Sequence, residues 1–350
     1  MKGTLAVLDQ IRGRGVAALL VDGRLEDLLV DPLAEEEPAP GTVLRAIVRR
    51  RLSGQGAWLV NLPEGITGHL RDVKDVAEGD AVMVQATGYP EAGKAVPVST
   101  RISVSGRFAV VMPGREGAFV SRAIGDPMRR KHLKKIAKDA LSQADVPAGL
   151  VLRSAGEVAD DQEILTEIVE LLECSRSLMS MLAGSSPAVL RNADCCHRIA
   201  AREWMGKGEL SIDDAEGSFD RHGIPDLVLP YRCPRVNLPG GGFAVVEPTR
   251  AFIAVDVNTG SDVSMGAALR ANIQLSACLP RQLRIRGLGG QIVVDFAPMA
   301  KRFRESVETA LSNAFSKDRI SATLVGWTGL GHFELHRRRE FRPLDGMHFE

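Results

Sequence analysis

The chain has 350 residues with 44 basic and 44 acidic side chains, 45% apolar and 5% aromatic composition. That balance excludes a chain disordered throughout, and at about 150 residues per domain it indicates two or more domains. A formal net charge of zero leaves no global positive field to steer polyanions, so any nucleic-acid site must be local.

No apolar run approaches the roughly 18 residues that cross a bilayer. Asp9, Arg12 and Arg14 break up the first residues, which therefore do not read as a secretion signal. We expect a cytoplasmic protein without membrane contact. The five cysteines, Cys174, Cys195, Cys196, Cys233 and Cys278, include no Cys-x-x-Cys spacing, which favours free thiols over structural zinc.

Residues 4–30 read as strand, turn, strand around Asp22-Gly23. The acidic, proline-bearing stretch 35–40 reads as a linker. From Gly41 to Ile102, five β-type runs (43–49, 57–62, 66–70, 81–86, 95–102) are separated by regular turn signals and predict a small Greek-key barrel of the OB type. An amphipathic helix is expected over 126–143, with Arg129, Arg130, Lys131, His132, Lys134, Lys135 and Lys138 on it. Those cations suit either a solvated helix face or a phosphate-tracking patch. A strand at 149–153 and a helix at 160–181 follow. Residues 184–240 are poorly periodic and read as connecting or buttressing. The C-terminal region alternates: strands 243–246 and 252–257, helix 267–286, strand 291–296, helix 302–315, strand 320–325, then an Arg-rich end.

Within this region, a pair of apolar strands runs into Asp256 and Asp295, with Asn258 two residues beyond the first. Ligands bind at the carboxyl edge of open α/β sheets. If the strands are parallel neighbours, two carboxylates and an amide oxygen can face one hard cation such as Mg²⁺. The alternative is that each aspartate only caps the following loop. Arg281, Arg284 and Arg286 before the second strand, and Lys301, Arg302 and Arg304 after it, are expected to put cations beside a phosphodiester.

Three segments, Asp256-Val257-Asn258-Thr259-Gly260, residues 281–290 (RQLRIRGLGG) and Val293-Val294-Asp295-Phe296, together resemble the catalytic core of the ribonuclease E/G family. The resemblance implies an α/β multidomain chain: an S1/OB-type β-barrel near the N-terminus, a 5′-sensor-like α/β unit and a C-terminal α/β catalytic core. The expected divisions are 1–34 (strands packing on the catalytic region), 35–104 (S1-type barrel), 105–183 (5′-sensor-like), 184–240 (buttress, RNase H-like with the first segment) and 241–350 (catalytic core).

It further implies a Mg²⁺-dependent endoribonuclease that cuts single-stranded RNA in RNA processing or decay. Asp256 and Asp295 would hold the metal, and Asn258 would orient Asp256. Arg153 with Ser154 resembles the family's Arg-Thr pair for a 5′-monophosphate, completed by backbone at Gly117 and Val120. Trp58 and His69 stand where the family places base-stacking aromatics; the alternative for Trp58 is the barrel core. Lys94, Arg284 and Arg286 complete the expected RNA contacts.

The chain also departs from the family. Gln274, Gly287 and Pro298 stand where it carries acidic residues, which implies fewer outer carboxylates around the metal. Pro280 is expected to bend the helix between the aspartates. No cysteine follows Cys278, so the family's zinc-linked dimer is not expected, which leaves a homo-oligomer through another contact open; a scaffold tail is not expected either. The competing reading is a catalytically weakened RNA-binding protein of the same architecture. A small-metabolite enzyme lacks support, because neither a dinucleotide fingerprint nor a Walker loop is present.

Overall fold

Two tight turns fold the start of the chain into an antiparallel meander of β1 (Thr4–Ile11), β2 (Arg14–Val21) and β3 (Arg24–Val30). Both central residues of each turn have positive φ, 51° and 76° at Arg12-Gly13 and 49° and 77° at Asp22-Gly23. Such turns match the right-handed twist of the strands they join. The first turn splits what the sequence presents as one strand into two.

The structure, a computed structural model, describes residues 3–32, 37–54, 56–71, 73, 75–205, 209–264 and 266–344. The chain forms two units, Met1–Leu33 with Lys207–Glu350, and Ala34–Gly206. Glu35 and Glu36 of the expected linker lie outside the described residues.

In the second unit, β4 (Val43–Leu52), β5 (Ala57–Asn61), β6 (Thr67–Arg71), β7 (Ala81–Ala86) and β8 (Val96–Ser99) follow the expected runs closely. They pair in the order β4-β5-β6-β8-β7, and β7 pairs back onto β4, so the five strands close into a barrel. Leu44, Val60, Leu70 and Val84 fill it at 0% exposure. Each such side chain contributes about 1.5–3 kcal/mol through burial.

The unit's remainder is a sheet under two helices. Strands β9 (Val104–Ser105), β10 (Ala109–Pro113), β11 (Gly117–Val120) and β12 (Ala148–Leu152) pair in the order β11-β12-β10-β9. Helix α1 (Pro127–Ser142) starts where the Asp126 side chain accepts the Met128 N–H at 2.8 Å, with proline in the first turn. Asp160 caps α2 (Asp161–Met181) in the same way. Both helices bury leucine and isoleucine stripes in one core with β10 and β12. Then β13 (Ala188–Arg191) pairs with β4, and α3 (Cys196–Trp204) ends the unit.

In the first unit, β14 (Leu210–Asp213) pairs parallel with β1, and two short helices follow, α4 (Ser218–Arg221) and α5 (Ile224–Arg232). The 184–240 stretch is therefore shared between the units rather than forming one buttress. Next come β15 (Arg235–Asn237), β16 (Phe243–Pro248), β17 (Ile253–Asn258), α6 (Ala267–Ile285), β18 (Gly290–Asp295), α7 (Arg304–Phe315), β19 (Ala322–Trp327) and β20 (Phe333–Arg337). These strands form one sheet in the order β15-β16-β17-β18-β20-β19, with β17 and β18 parallel. One face is buried with α6 and α7 through Val255, Val257, Val294, Leu275, Leu279 and Leu311. Pro280 is buried inside α6 without ending it. Among the described residues no helix is long and apolar enough to cross a membrane.

Candidate metal centre and nucleic-acid interface

Alternation along β17 and β18 decides what their carboxyl ends present. Val255, Val257 and Val294 point into the core, so Asp256 and Asp295, one position out of phase, point to the open face, where both are exposed. The parallel register sets Asp256 directly beside Asp295, in strands about 4.8 Å apart. Asn258 donates its side-chain N–H to Asp256 Oδ2 at 2.8 Å. On the other flank of β18, His332 Nδ1 lies 3.2 Å from Asp295 Oδ1. His332 belongs to the turn that leads into β20, whose start lies opposite the end of β18.

The segment after Asp295 is clamped from beneath. Buried Asn272 of α6 donates to the Ala297 carbonyl at 2.9 Å and accepts the Ala297 N–H at 3.0 Å. Gly260, at φ +63°, brings the loop after Asn258 so close to residue 241 that a Cβ would lie 2.3 Å from the Gly241 carbonyl oxygen. Phe296, Trp327 and Phe333 pack edge and tilt within 6.5 Å of one another, forming an apolar wall beside Asp295. Arg304 stacks 4.4 Å over the Trp327 ring.

This donor set fits a hard divalent cation. Two like charges face each other, and among the described residues neither carboxylate forms an ion pair with lysine or arginine. No group of three or more His, Cys, Asp or Glu side chains there is arranged to hold a metal, so any ion would keep most of its waters. Mg²⁺ does so, typically binding one or two carboxylates and completing its octahedron with water and phosphate.

Arg284 and Arg286, expected beside this pair, are elsewhere. A crossover helix runs antiparallel to the strands it joins, so the C-terminal turn of α6 lies at their amino ends, away from the aspartates. Arg284 donates to Asp318 at 2.7 Å and to the Glu26 carbonyl at 2.6 Å, and it pairs with Asp27. Arg286, 6% exposed, donates to the Tyr231 and Cys233 carbonyls, each at 2.6 Å. Both are structural, and the expectation that they contact RNA is corrected. Gly287 is likewise remote from the aspartates: at φ +65°, a Cβ there would lie 1.9 Å from the Arg342 carbonyl oxygen. An acidic side chain at that position would not fit this backbone.

In the second unit, Arg153 follows β12. Its guanidinium donates to the Gly106 carbonyl at 2.9 Å and to both oxygens of Glu203 at 3.0 and 3.1 Å. Burial would raise the Glu203 pKa, but Arg153 and Arg202 outweigh it and hold the carboxyl below its ordinary value. Ser154 is exposed beside Arg153. Val120 pairs with Leu152, adjacent to Arg153, whereas Gly117 pairs with Gly149. Four residues of strand, about 13 Å, separate that glycine from Arg153, so Gly117 does not share its pocket.

On the barrel, Trp58 sits opposite fully buried Leu70 and packs, half-buried, against the core. His69 sits opposite Leu59, one position out of phase, so the two rings face opposite sides of the β5–β6 pair. Of the two readings of Trp58, this packing fits the barrel core. Burial and the Arg71 charge lower the His69 pKa. Lys94 is 67% exposed and ion-paired to Glu91.

The family model described as "Ribonuclease E/G family" matches residues 103–216 and 202–340, well over half of the chain. The chain belongs to the ribonuclease E/G family. Curated relatives of this family member include ribonuclease G of Salmonella typhimurium (strain SL1344), 28% identical over 306 residues, covering 77% of this chain and 62% of the relative. Ribonuclease G of Escherichia coli (strain K12) is 27% identical over the same shares. Ribonuclease E of Nostoc sp. is 26% identical over 380 residues, covering 93% of this chain and 54% of the relative. The match thus spans less than two thirds of each relative's length.

Two residues beside the aspartate pair of this ribonuclease E/G family member, His332 and Asn272, are not evident from sequence reasoning, nor in the other unit is Glu203, the partner of Arg153. His332 lies 37 residues from Asp295, and only strand pairing reveals their contact. In the sequence Asn272 is one of several polar residues of α6 and nothing there sets it apart. Its burial at 0% is the signal, because a buried amide must find partners.

Proposed function

We propose that the chain is a Mg²⁺-dependent endoribonuclease that hydrolyses phosphodiester bonds of single-stranded RNA, with a preference for 5′-monophosphorylated ends. The observation that carries this reading is the in-register pair Asp256 and Asp295 at the carboxyl edge of the sheet, in a chain whose named relatives are ribonucleases. A bound Mg²⁺ would polarise a phosphoryl oxygen and lower the pKa of a water. Asp256 and Asp295 would hold the ion, with Asn258 fixing the Asp256 carboxylate and His332 fixing the Asp295 carboxylate. Arg304, beside the His332 turn, supplies the nearby positive charge for a phosphate that Arg284 and Arg286 do not. The barrel acts as an S1-type RNA-binding domain through its outer face, where Arg50, Leu59 and His69 share one cross-strand row. The sheet with α1 and α2 acts as the 5′-end sensor.

The reading is tested with one 5′-labelled RNA presented alone and annealed to its complement. The single strand is cut and the duplex is not; equal cutting of both contradicts the substrate assignment. His332→Ala should weaken divalent-metal binding about 10 to 100-fold, as loss of a hydrogen bond that orients a ligand does. Titration with Mn²⁺ by electron paramagnetic resonance measures this, and unchanged affinity removes the positioning role.

At the 5′ end, Arg153 and Ser154 bind the terminal phosphate, with Val120 backbone beside them. The phosphate must displace Glu203, which already occupies the guanidinium fork. Arg153→Ala should bring the ratio of cleavage rates on 5′-monophosphate and 5′-hydroxyl RNA down to about one, and an unchanged ratio excludes the sensor.

A further inference from the structure

Helix α1 carries six permanent cations, Arg129, Arg130, Lys131, Lys134, Lys135 and Lys138, against one aspartate, Asp139. The structure divides them into two classes. Arg129 donates to Asp161 and to the Gly156 and Ala159 carbonyls, and Arg130 donates to the Ile124 carbonyl. His132 is held by Asp161 at 2.6 Å. Those side chains fasten the helix to its own unit. Lys131, Lys134, Lys135 and Lys138 are all exposed, and among the described residues none pairs with a carboxylate.

At 100° per residue these four lysines fall within an arc of about 100°, opposite buried Leu133, Ile136 and Ala137. They follow the i, i+3, i+4, i+7 pattern of one continuous stripe about 10 Å long. Lysines three and four apart repel one another. Left unpaired, the stripe destabilises the helix that bears it. A polyanion laid along it removes that repulsion and releases its own counterions.

We propose that this stripe is a second RNA-backbone contact, separate from the 5′-phosphate pocket and from the barrel. Arg153 extends from β12 in phase with Val151, on the sheet face opposite the buried Leu150 and Leu152 that pack with α1. The lysines therefore bind another stretch of a long transcript rather than its 5′ end. The contact is to phosphate and is independent of sequence. This inference rests on the reading of the chain as an RNA-acting protein.

The test is fluorescence anisotropy with a labelled 5′-hydroxyl single-stranded RNA in EDTA, which excludes both cleavage and terminal-phosphate binding. Affinity is measured across salt concentrations for the full chain and for the variant Lys131→Gln/Lys134→Gln/Lys135→Gln/Lys138→Gln. Glutamine keeps helix propensity while removing charge, and circular dichroism verifies the fold. The expected result is a slope of log affinity against log salt that shrinks by about 0.7 per lysine, about 2 to 3 in all. The matching Lys→Arg variant retains the slope, and the Gln variant unfolds at higher urea than the parent.

Equal slopes for parent and Gln variant overturn the stripe as an RNA contact while leaving the proposed function intact. Failure of the parent to bind RNA removes that function itself. Loss of binding to phosphatidylglycerol vesicles, with the RNA slope unchanged, assigns the stripe to an anionic membrane and overturns the proposal.

Discussion

Asp295→Asn should lower RNA cleavage by about 10³-fold or more while leaving the protein folded. The side chain is 62% exposed and lies at a strand end, and its one hydrogen-bonding partner among the described residues is His332. Its amide analogue retains shape but loses half of the negative charge that the pair Asp256 and Asp295 offers a cation. A divalent ion at such a centre contributes several kcal/mol of transition-state stabilisation, and about 4 kcal/mol corresponds to roughly 10³ in rate. The check is cleavage of a fluorescent single-stranded RNA together with thermal unfolding of parent and variant. An unchanged rate would show that Asp295 carries no catalytic metal. A lost rate accompanied by unfolding would show a structural role instead.

The second large effect concerns stability. Asp318 has no exposed side-chain surface and bonds two arginines, Arg284 at 2.7 Å and Arg337 at 2.9 Å. Arg337 is itself 1% exposed and donates to the Leu288 carbonyl, and Asp27 holds Arg319 through two hydrogen bonds. The network ties β3, α6 and β20 together within one unit. Asp318→Ala takes from buried Arg337 the carboxylate it pairs with and leaves Arg284 to Asp27, and breaking a buried pair in this way costs about 3–5 kcal/mol. Urea unfolding should show a lower midpoint with an unchanged slope, the midpoint shift multiplied by the slope giving that free energy. A change under about 1 kcal/mol would mean that water or a neighbouring carboxylate replaces the lost partner.

These two residues show what a sequence yields and what it withholds. Asp295 ends its strand and Asp256 lies two residues before the end of its own; either alone could simply cap a loop, and they stand out because both follow apolar runs and carry the family's motifs. The five barrel strands were legible because turn residues separate them at regular spacing. The register that sets the two aspartates side by side is a property of the folded sheet alone. Arg284 and Arg286 misled for the opposite reason. They are close to the second aspartate along the chain, but the crossover helix carries its last turn to the far edge of the sheet.

Strand β20 was hidden within the run FELHR, where Phe333, Leu335 and Arg337 alternate inward. An inward arginine reads as solvent exposure until Asp318 is seen beside it. The stretch 184–240 was opaque because its elements are three to nine residues long, and α5 carries Pro225 in its first turn and Pro230 inside. Elements that short are specified by tertiary packing more than by their own periodicity.

The most direct test of the central claim uses one defined 5′-monophosphorylated single-stranded RNA and protein freed of metal by dialysis against EDTA. Cleavage is followed with and without added Mg²⁺, and the ends of the fragments are identified. The account predicts cutting only when Mg²⁺ is present, leaving 3′-hydroxyl and 5′-phosphate termini. Cutting in EDTA that leaves 2′,3′-cyclic phosphates would contradict it, because the ribose hydroxyl would then be the nucleophile and the two aspartates would have no ion to hold.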